Sequence, residues 1–219
     1  MITVLDANMS GVILRRAASI ANSSSTPIWF EPVSVSKSRR ILDLVHAGLI
    51  IDYASPNLGE LVAMAKVLRT GEELQNIDIE EESDVNYVLR SIGKHASAVI
   101  EAGVRCIILT LGRLGAASIK RHQDDAKDLC ATVVPGFNVV DIMNVHGAGD
   151  ALVGGCISCL VQNMNLEKAL AYGVSSSVAA LRSEGSRLSP SKLDDGSQYN
   201  VQELSRLAYQ RSYTLTIKV

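Results

Sequence analysis

The run His146-Gly147-Ala148-Gly149-Asp150-Ala151-Leu152-Val153-Gly154-Gly155 holds the residue types most suited to chemistry. Two glycines bracket an alanine where an apolar helical pattern begins, and small residues let a ligand approach the backbone closely. The first N–H groups of a helix lack intrahelical partners and carry partial positive charge. Together these features make an anion site suited to a phosphate group. Asp150 falls in the first turn. It reads either as an N-terminal cap, which the residue types alone favour, or as a general base for an attacking hydroxyl. Cys156 and Cys159 form one C-x-x-C. A structural zinc site needs four ligands and no second pair exists, so the cysteines read as small buried helix residues.

Strands and helices must position these groups. Pro27–Phe30 and Leu49–Ile51 read as strands, with a helix over about Gly11–Ala21 before the first. Ser55-Pro56-Asn57 ends the second strand, and a helix is predicted over Leu58–Leu68. The acidic stretch Thr70–Asp84 reads as a solvated loop or helix face rather than an interaction site. One helix is predicted over Val85–Glu101, leading into the buried strand Cys106–Thr110. Gly112 and Gly115 mark a turn. Ala116–Arg121 and Cys130–Val134 read as antiparallel strands around the polar tip His122–Asp125. Helices follow over Ala148–Gln162, Leu166–Leu181 and Val201–Gln210. Strand-then-helix repetition predicts an α/β fold with a mostly parallel sheet, whose ligands bind at the carboxyl ends of the strands.

Composition excludes several functions. The chain has 219 residues, 47% of them apolar, which is enough to bury a sizeable core and excludes disorder for most of it. Its net charge of −2 and 4% aromatic content argue against nucleic-acid binding by charge or by base stacking. No apolar run is long enough to span a bilayer, and Met1–Asp6 lacks the basic start of a secretory signal, so no membrane partner is expected. Four cysteines in this length do not make a disulfide scaffold and point to a reducing compartment.

Four segments, taken in order, resemble the ribokinase-like (PfkB) carbohydrate kinases. Asn57 and Glu60 in Ser55-Pro56-Asn57-Leu58-Gly59-Glu60 resemble the N-x-x-E element of that family. Thr110-Leu111-Gly112-Arg113-Leu114-Gly115 resembles its T-x-G-x-x-G nucleotide loop. Gly147-Ala148-Gly149-Asp150 resembles its catalytic signature, and Gly185-Ser186-Arg187-Leu188-Ser189-Pro190 the loop closing the nucleotide pocket. Val4–Ser10, Pro27–Lys37 and Val153-Gly154-Gly155 look like the pseudouridine kinase branch, although most sugar kinases of the family carry Asp-Pro where Glu31-Pro32 stands here.

The resemblance implies a ribokinase-like three-layer αβα (Rossmann-like) fold and a small-molecule sugar or nucleoside substrate. It implies transfer of the ATP γ-phosphoryl group to the 5′-hydroxyl of pseudouridine. Asp150 would take the hydroxyl proton, and the N–H groups of Gly147, Ala148 and Gly149 would stabilise the transferring group. Thr110, Gly112, Gly115 and Gly185 would line the nucleotide, with Lys37 near its phosphates or on the solvated surface. Glu60, supported by Asn57, would hold Mg²⁺ through water. A monovalent cation (K⁺) is also expected, with ligands near Asn144, His146, Ala180, Gly185 and Ser189. The sequence departs from the family there, with Asn144-Val145-His146 in place of small hydroxyl or acidic residues. His146 reads as structural.

Against the family pattern, residues 1–193 correspond to the ATP-binding and catalytic part, and 194–219 to a divergent tail. The first strands, the sugar contacts and the β lid of the family would precede Met1, so the fold is expected to be N-terminally truncated. Removing leading strands exposes a sheet edge, through which a homodimer or another association is expected. Alternatives to pseudouridine phosphorylation are a catalytically silent nucleotide-binding module, or a kinase for ribose, fructose or adenosine. A cytoplasmic location is expected, with a peroxisomal one through a signal not visible here as the alternative.

Overall fold

Burial on both faces shapes the second to fourth strands, as expected of parallel strands covered by helices, while the first buries only Leu5. In the computed structural model, residues 1–69, 84–125, 127–140, 142–183 and 200–219 are described. β1 (Thr3–Asp6) leads through α1 (Gly11–Ser23) to β2 (Ile28–Glu31). The short helices α2 (Val35–Ser38) and α3 (Ile41–Val45) precede β3 (Ile51–Ala54). Then α4 (Leu58–Leu68), α5 (Val85–Ser91) and α6 (Gly93–Glu101) lead to β4 (Val104–Thr110). A 3₁₀ turn (Gly112–Leu114) precedes the hairpin of β5 (Gly115–Arg121) and β6 (Leu129–Pro135). The chain ends with α7 (Ala148–Leu160), α8 (Leu166–Leu181), α9 (Val201–Arg211) and β7 (Tyr213–Ile217).

The seven strands lie side by side in chain order, β1 through β7. The first four are parallel, and their register aligns Leu5, Phe30, Ala54 and Ile107 in one row across the sheet. Hydrogen bonds from His122 N to Asp128 O (2.9 Å) and from Gly136 N to Leu114 O (3.0 Å) close the β5–β6 hairpin at its tip and base. The chain divides into two compact units. The first holds Met1–Leu111, Ile119–Ala131 and Leu215–Val219, and the second Gly112–Ser118 and Thr132–Thr214. Strands β5, β6 and β7 each contribute residues to both units, which is why no single linker is visible in the sequence.

In the first unit the row from Leu5 to Ile107 is buried with Trp29, Leu14, Leu61 and Met64. Trp29 stacks on Tyr53 with centroids 5.1 Å apart. Each such large side chain stabilises the unit by about 1.5–3 kcal/mol relative to exposure. In the second unit, α7, α8 and α9 bury Cys156, Leu170, Val174, Leu204 and Ala208.

Two expectations need correction. The strand predicted at Leu49–Ile51 begins at Ile51, because the run before it closes a turn: Gly48 takes φ 66° and Leu49 N bonds back to Leu44 O. The helix predicted over Val85–Glu101 is two helices. It breaks at Ile92, which ends α5 and starts α6 at φ −90°, ψ 0°. Gly93 follows, and a Cβ there would stand 2.9 Å from Cγ2 of Ile217 in β7. Glycine has low helix propensity, and its missing side chain makes room for the terminal strand. The acidic stretch lies outside the described residues apart from Asp84, which caps α5 through Asn86 N and Tyr87 N. Among the described residues no helix is long and apolar enough to cross a membrane.

Candidate active site

In the first unit the candidate residues gather at the carboxyl ends of the parallel strands. Asn57 caps α4 and forms a capping box with Glu60. Glu60 N–H donates to Asn57 Oδ1 and Asn57 N–H donates to Glu60 Oε2, both at 2.9 Å. An isolated parallel bridge joins Asn57 to Thr110, whose N–H donates to Pro56 O at 3.0 Å. Glu60 is only 5% exposed. Burial raises its carboxyl above the ordinary value, opposed by the two hydrogen bonds with Asn57.

Lys37, in the short α2, donates from Nζ to Asn8 Oδ1. Arg40 Nη1 donates to the carbonyls of Ala7 (2.8 Å), Asn8 (3.1 Å) and Met9, and so ties down the loop that presents Asn8. Beside them Trp29 Nε1 donates to Ser55 Oγ at 2.6 Å, and Ser55 Oγ donates to Glu31 Oε2 at 2.5 Å. Sequence reasoning assigned no role to the side chains of Asn8, Arg40 or Ser55, because each contact spans two dozen residues of chain or more.

In the second unit the signature Gly147–Asp150 starts α7. Gly147 is the N-cap residue at φ 82°, ψ −2°, a left-handed conformation that strains any residue with a Cβ. Ala151 N makes the first helical bond, to Gly147 O, so the helix leaves the amides of Ala148, Gly149 and Asp150 without intrahelical partners. A Cβ on Gly149 would meet nothing within 4 Å, so the backbone there is open to approach. The reading of Asp150 as a cap is corrected. Gly147 occupies that position with no side-chain cap bond, and the Asp150 carboxylate stands exposed in the first turn. It can therefore accept a proton from a ligand hydroxyl.

The packing beneath fixes this turn. Ser177 Oγ of α8 donates to Ala148 O at 2.7 Å. The two helices cross at glycines: a Cβ on Gly155 would stand 2.6 Å from Ser176 Oγ, and one on Gly173 would stand 2.7 Å from Leu152 O. Cys156 and Cys159 are buried in α7 and form no disulfide, as the sequence indicated.

A cleft of about 540 Å³ opens beside Ala148, lined by Gly112, Gly115, Phe137, Ile142, Leu152 and Val178 among others. Its size and apolar walls suit a flat, partly polar ligand. Gly112 and Gly115 are where the nucleotide loop was expected. Gly115 takes φ 102°, and a Cβ there would stand 2.1 Å from Val134 O, so the loop can turn only on glycine. The apolar walls from Phe137, Val139, Ile142, Val145 and α8 were not anticipated. Val139–Val145 carries no motif, and Val174 and Val178 look like ordinary helix core in sequence.

The donor sets differ in how well they fit cations. Glu60 offers one half-committed carboxylate at a helix start, which fits Mg²⁺ held largely through water and ligand phosphates. Among the described residues no group of three or more His, Cys, Asp or Glu could hold a metal ion by itself. Of the residues expected around K⁺, Asn144 Oδ1 accepts from His146 N at 2.9 Å and lies 3.1 Å from its ring Nδ1. Ala180 O accepts from Ser183 N and Ser183 Oγ. Both oxygens already accept hydrogen bonds, and the backbone carbonyls of Asn144 and His146 remain as further candidate donors. Gly185 and Ser189 lie outside the described residues.

The open helix start, the glycine loop and the apolar cleft accompany a family match over most of the chain. The pattern of the pfkB family carbohydrate kinases matches residues 1–193, and the chain belongs to that family. It is 29% identical to a pseudouridine kinase of Arabidopsis thaliana over 226 residues, covering 87% of this chain and 59% of that protein. Its fold resembles phosphofructokinase-2 from Escherichia coli in complex with potassium (TM-score 0.63, 19% identity, 91% of this chain and 53% of that one). It also resembles Arabidopsis thaliana ribokinase complexed with ribose and ATP (TM-score 0.62, 16% identity, 94% and 55%). The fold is thus α/β and ribokinase-like. The chain spans a little over half the length of these relatives.

Proposed function

We propose that the chain transfers the γ-phosphoryl group of ATP to the 5′-hydroxyl of pseudouridine. The observation that carries the phosphoryl-transfer part is the start of α7, where open amides and an exposed Asp150 stand beside an apolar cleft within one unit. The nucleoside of ATP occupies the cleft against Gly112, Gly115 and Phe137. Asp150 accepts the hydroxyl proton as the oxygen attacks the γ-phosphorus and the bond from that phosphorus to the β–γ bridging oxygen breaks, releasing ADP. The amides of Ala148, Gly149 and Asp150, with Gly147 fixing their direction, stabilise the charge on the transferring group. Glu60, oriented by Asn57, would hold Mg²⁺ through water, and the ion would supply charge neutralisation for phosphate groups. Lys37 and Asn8 sit where β1 and β2 end, in the segments that support the choice of pseudouridine, together with the 29% identity to the Arabidopsis enzyme.

A second reading is nucleotide binding without turnover. One assay separates the two. Monodisperse protein is incubated with ATP, Mg²⁺ and pseudouridine, with uridine and ribose in parallel. Phosphorylated pseudouridine alone supports the first reading. ATP binding with no product from any acceptor supports the second. Absence of magnesium-dependent nucleotide binding rejects both.

A further inference from the structure

We propose that Arg211 is a positioning residue for the base of the bound nucleotide, acting through Phe137. The proposal rests on the reading that the cleft takes the nucleoside of ATP. Arg211 is the last residue of α9, beyond residues 1–193 that match the family.

Phe137 is the one aromatic side chain among the described residues lining the cleft. It leaves β6 directly after Gly136, whose backbone is already constrained on one side. Gly136 N donates to Leu114 O at 3.0 Å, and a Cβ on Gly136 would stand 2.2 Å from Arg113 O. Arg211 constrains the other side. Its Nη2 donates to Gly136 O at 3.3 Å, and its guanidinium carbon lies 5.2 Å from the Phe137 ring centroid. One side chain thus grips both the backbone that launches the ring and the ring itself.

Arg211 has a firm base from which to do so. α9 packs on α8 through buried Val201, Leu204 and Ala208, and Lys168 Nζ of α8 sits 5.8 Å from the Tyr209 ring centroid. α8 in turn supplies Val174, Ser177 and Val178 to the same cleft. The terminal helix therefore ties an aromatic lip to a cleft wall. A ring held in one orientation presents its free surface for stacking on a nucleobase, whereas a ring free to turn loses part of that contact.

Isothermal titration calorimetry with Mg²⁺ tests this on the full chain and on Arg211→Ala and Arg211→Lys. The ligands are ATP and inorganic tripolyphosphate, which has no base. Arg211→Ala should weaken ATP roughly two- to fivefold, the range of an exposed cation–aromatic contact, with tripolyphosphate unchanged. Arg211→Lys, which keeps the charge over the ring, should recover much of the loss. Unchanged ATP affinity in Arg211→Ala overturns the proposal, and so does an equal loss for tripolyphosphate, which would mean a phosphate contact or a general collapse. Wild-type protein that binds tripolyphosphate but gains nothing from the base of ATP overturns it as well. Wild-type protein that binds neither ligand rejects the nucleotide reading beneath it.

Discussion

Gly173→Ala probes how closely α7 must sit on α8. The added Cβ would stand 2.7 Å from Leu152 O and 2.5 Å from Cys156 Sγ. The sulfur can swing away, but the carbonyl is backbone. Ordinary contact begins near 3.4 Å, so the helices must part by about 0.7 Å at this crossing. Forcing a methyl into a packed contact costs about 1–3 kcal/mol. Replacing a mid-helix glycine by alanine returns up to about 1 kcal/mol. The net destabilisation is then roughly 1–2 kcal/mol, or a fall in Tm of about 2–8 °C at this chain length. The effect on turnover should be larger, because α7 carries both Asp150 and the amides at its start. A displacement approaching 1 Å at reacting groups costs up to ~100-fold. Gly154→Ala is the matched control. It lies on the same helix, its Cβ would meet nothing within 4 Å, and it should raise Tm slightly while leaving turnover unchanged. Thermal unfolding and the phosphorylation assay are run on both variants. Wild-type Tm and turnover in Gly173→Ala would refute the idea that this crossing sets the site.

Glu60→Gln separates charge from geometry. Folding raises the Glu60 carboxyl, so the native state holds that proton more tightly than the unfolded chain does. Its contribution to stability is therefore greatest at low pH and falls as pH rises from the unfolded value near 4.5 through the raised folded one. The glutamine variant should show a flatter dependence of Tm on pH in that window and an equal or higher Tm at pH 7, with weaker magnesium-dependent turnover; a clearly lower Tm at pH 7 contradicts this. Asp150→Asn should keep the wild-type Tm and ATP affinity, because the side chain is exposed and caps nothing, while turnover falls at least ~100-fold. Turnover within threefold of wild type excludes Asp150 as the base. Cys106 is buried, and burial pushes its thiol up to about 12. It should stay unmodified by a thiol reagent at pH 8 until the protein unfolds, whereas the partly exposed Cys130 should react first; mass spectrometry of the labelled peptides reads the order.

The long elements were legible in the sequence because their periodicity and their breakers agree. The breaker Ser55-Pro56-Asn57 and the apolar face of Leu61 and Ala65 marked α4, while the capping role of Asn57 came only from the structure. The break at Ile92 was not legible, because its cause sits in Ile217, far along the chain. The chemistry of Gly147–Asp150 could be read locally, since a helix start needs only neighbouring residues. Which residue caps the helix could not, because Asp in a first turn and Gly at the cap position look alike until φ is known. The cleft walls were hidden for another reason. Val174, Ser177 and Val178 serve a helix interface and a cavity with the same side chains, and nothing in their order separates the two uses. The grip of Arg40 on the Ala7–Met9 carbonyls has no sequence signature, since an arginine that bonds backbone oxygens looks like any surface arginine.

The seven strands stand in the sheet in the order in which they are synthesised. Each strand that leaves the ribosome therefore finds its neighbour already made, and no strand waits for a distant partner. The loop-closure cost of each pairing is set by the adjoining crossover or hairpin, rather than by the length of the protein. Pairing can proceed along the sheet from each strand to the next, and β7 pairs after β6. It lays Ile217 beside Gly93 and pairs Lys218 with Asp128. Removing the chain from Leu215 onward would leave the Gly93 notch uncovered. Residues Leu215–Val219 thus belong to the first unit and close over a helix break that lies far earlier in the chain.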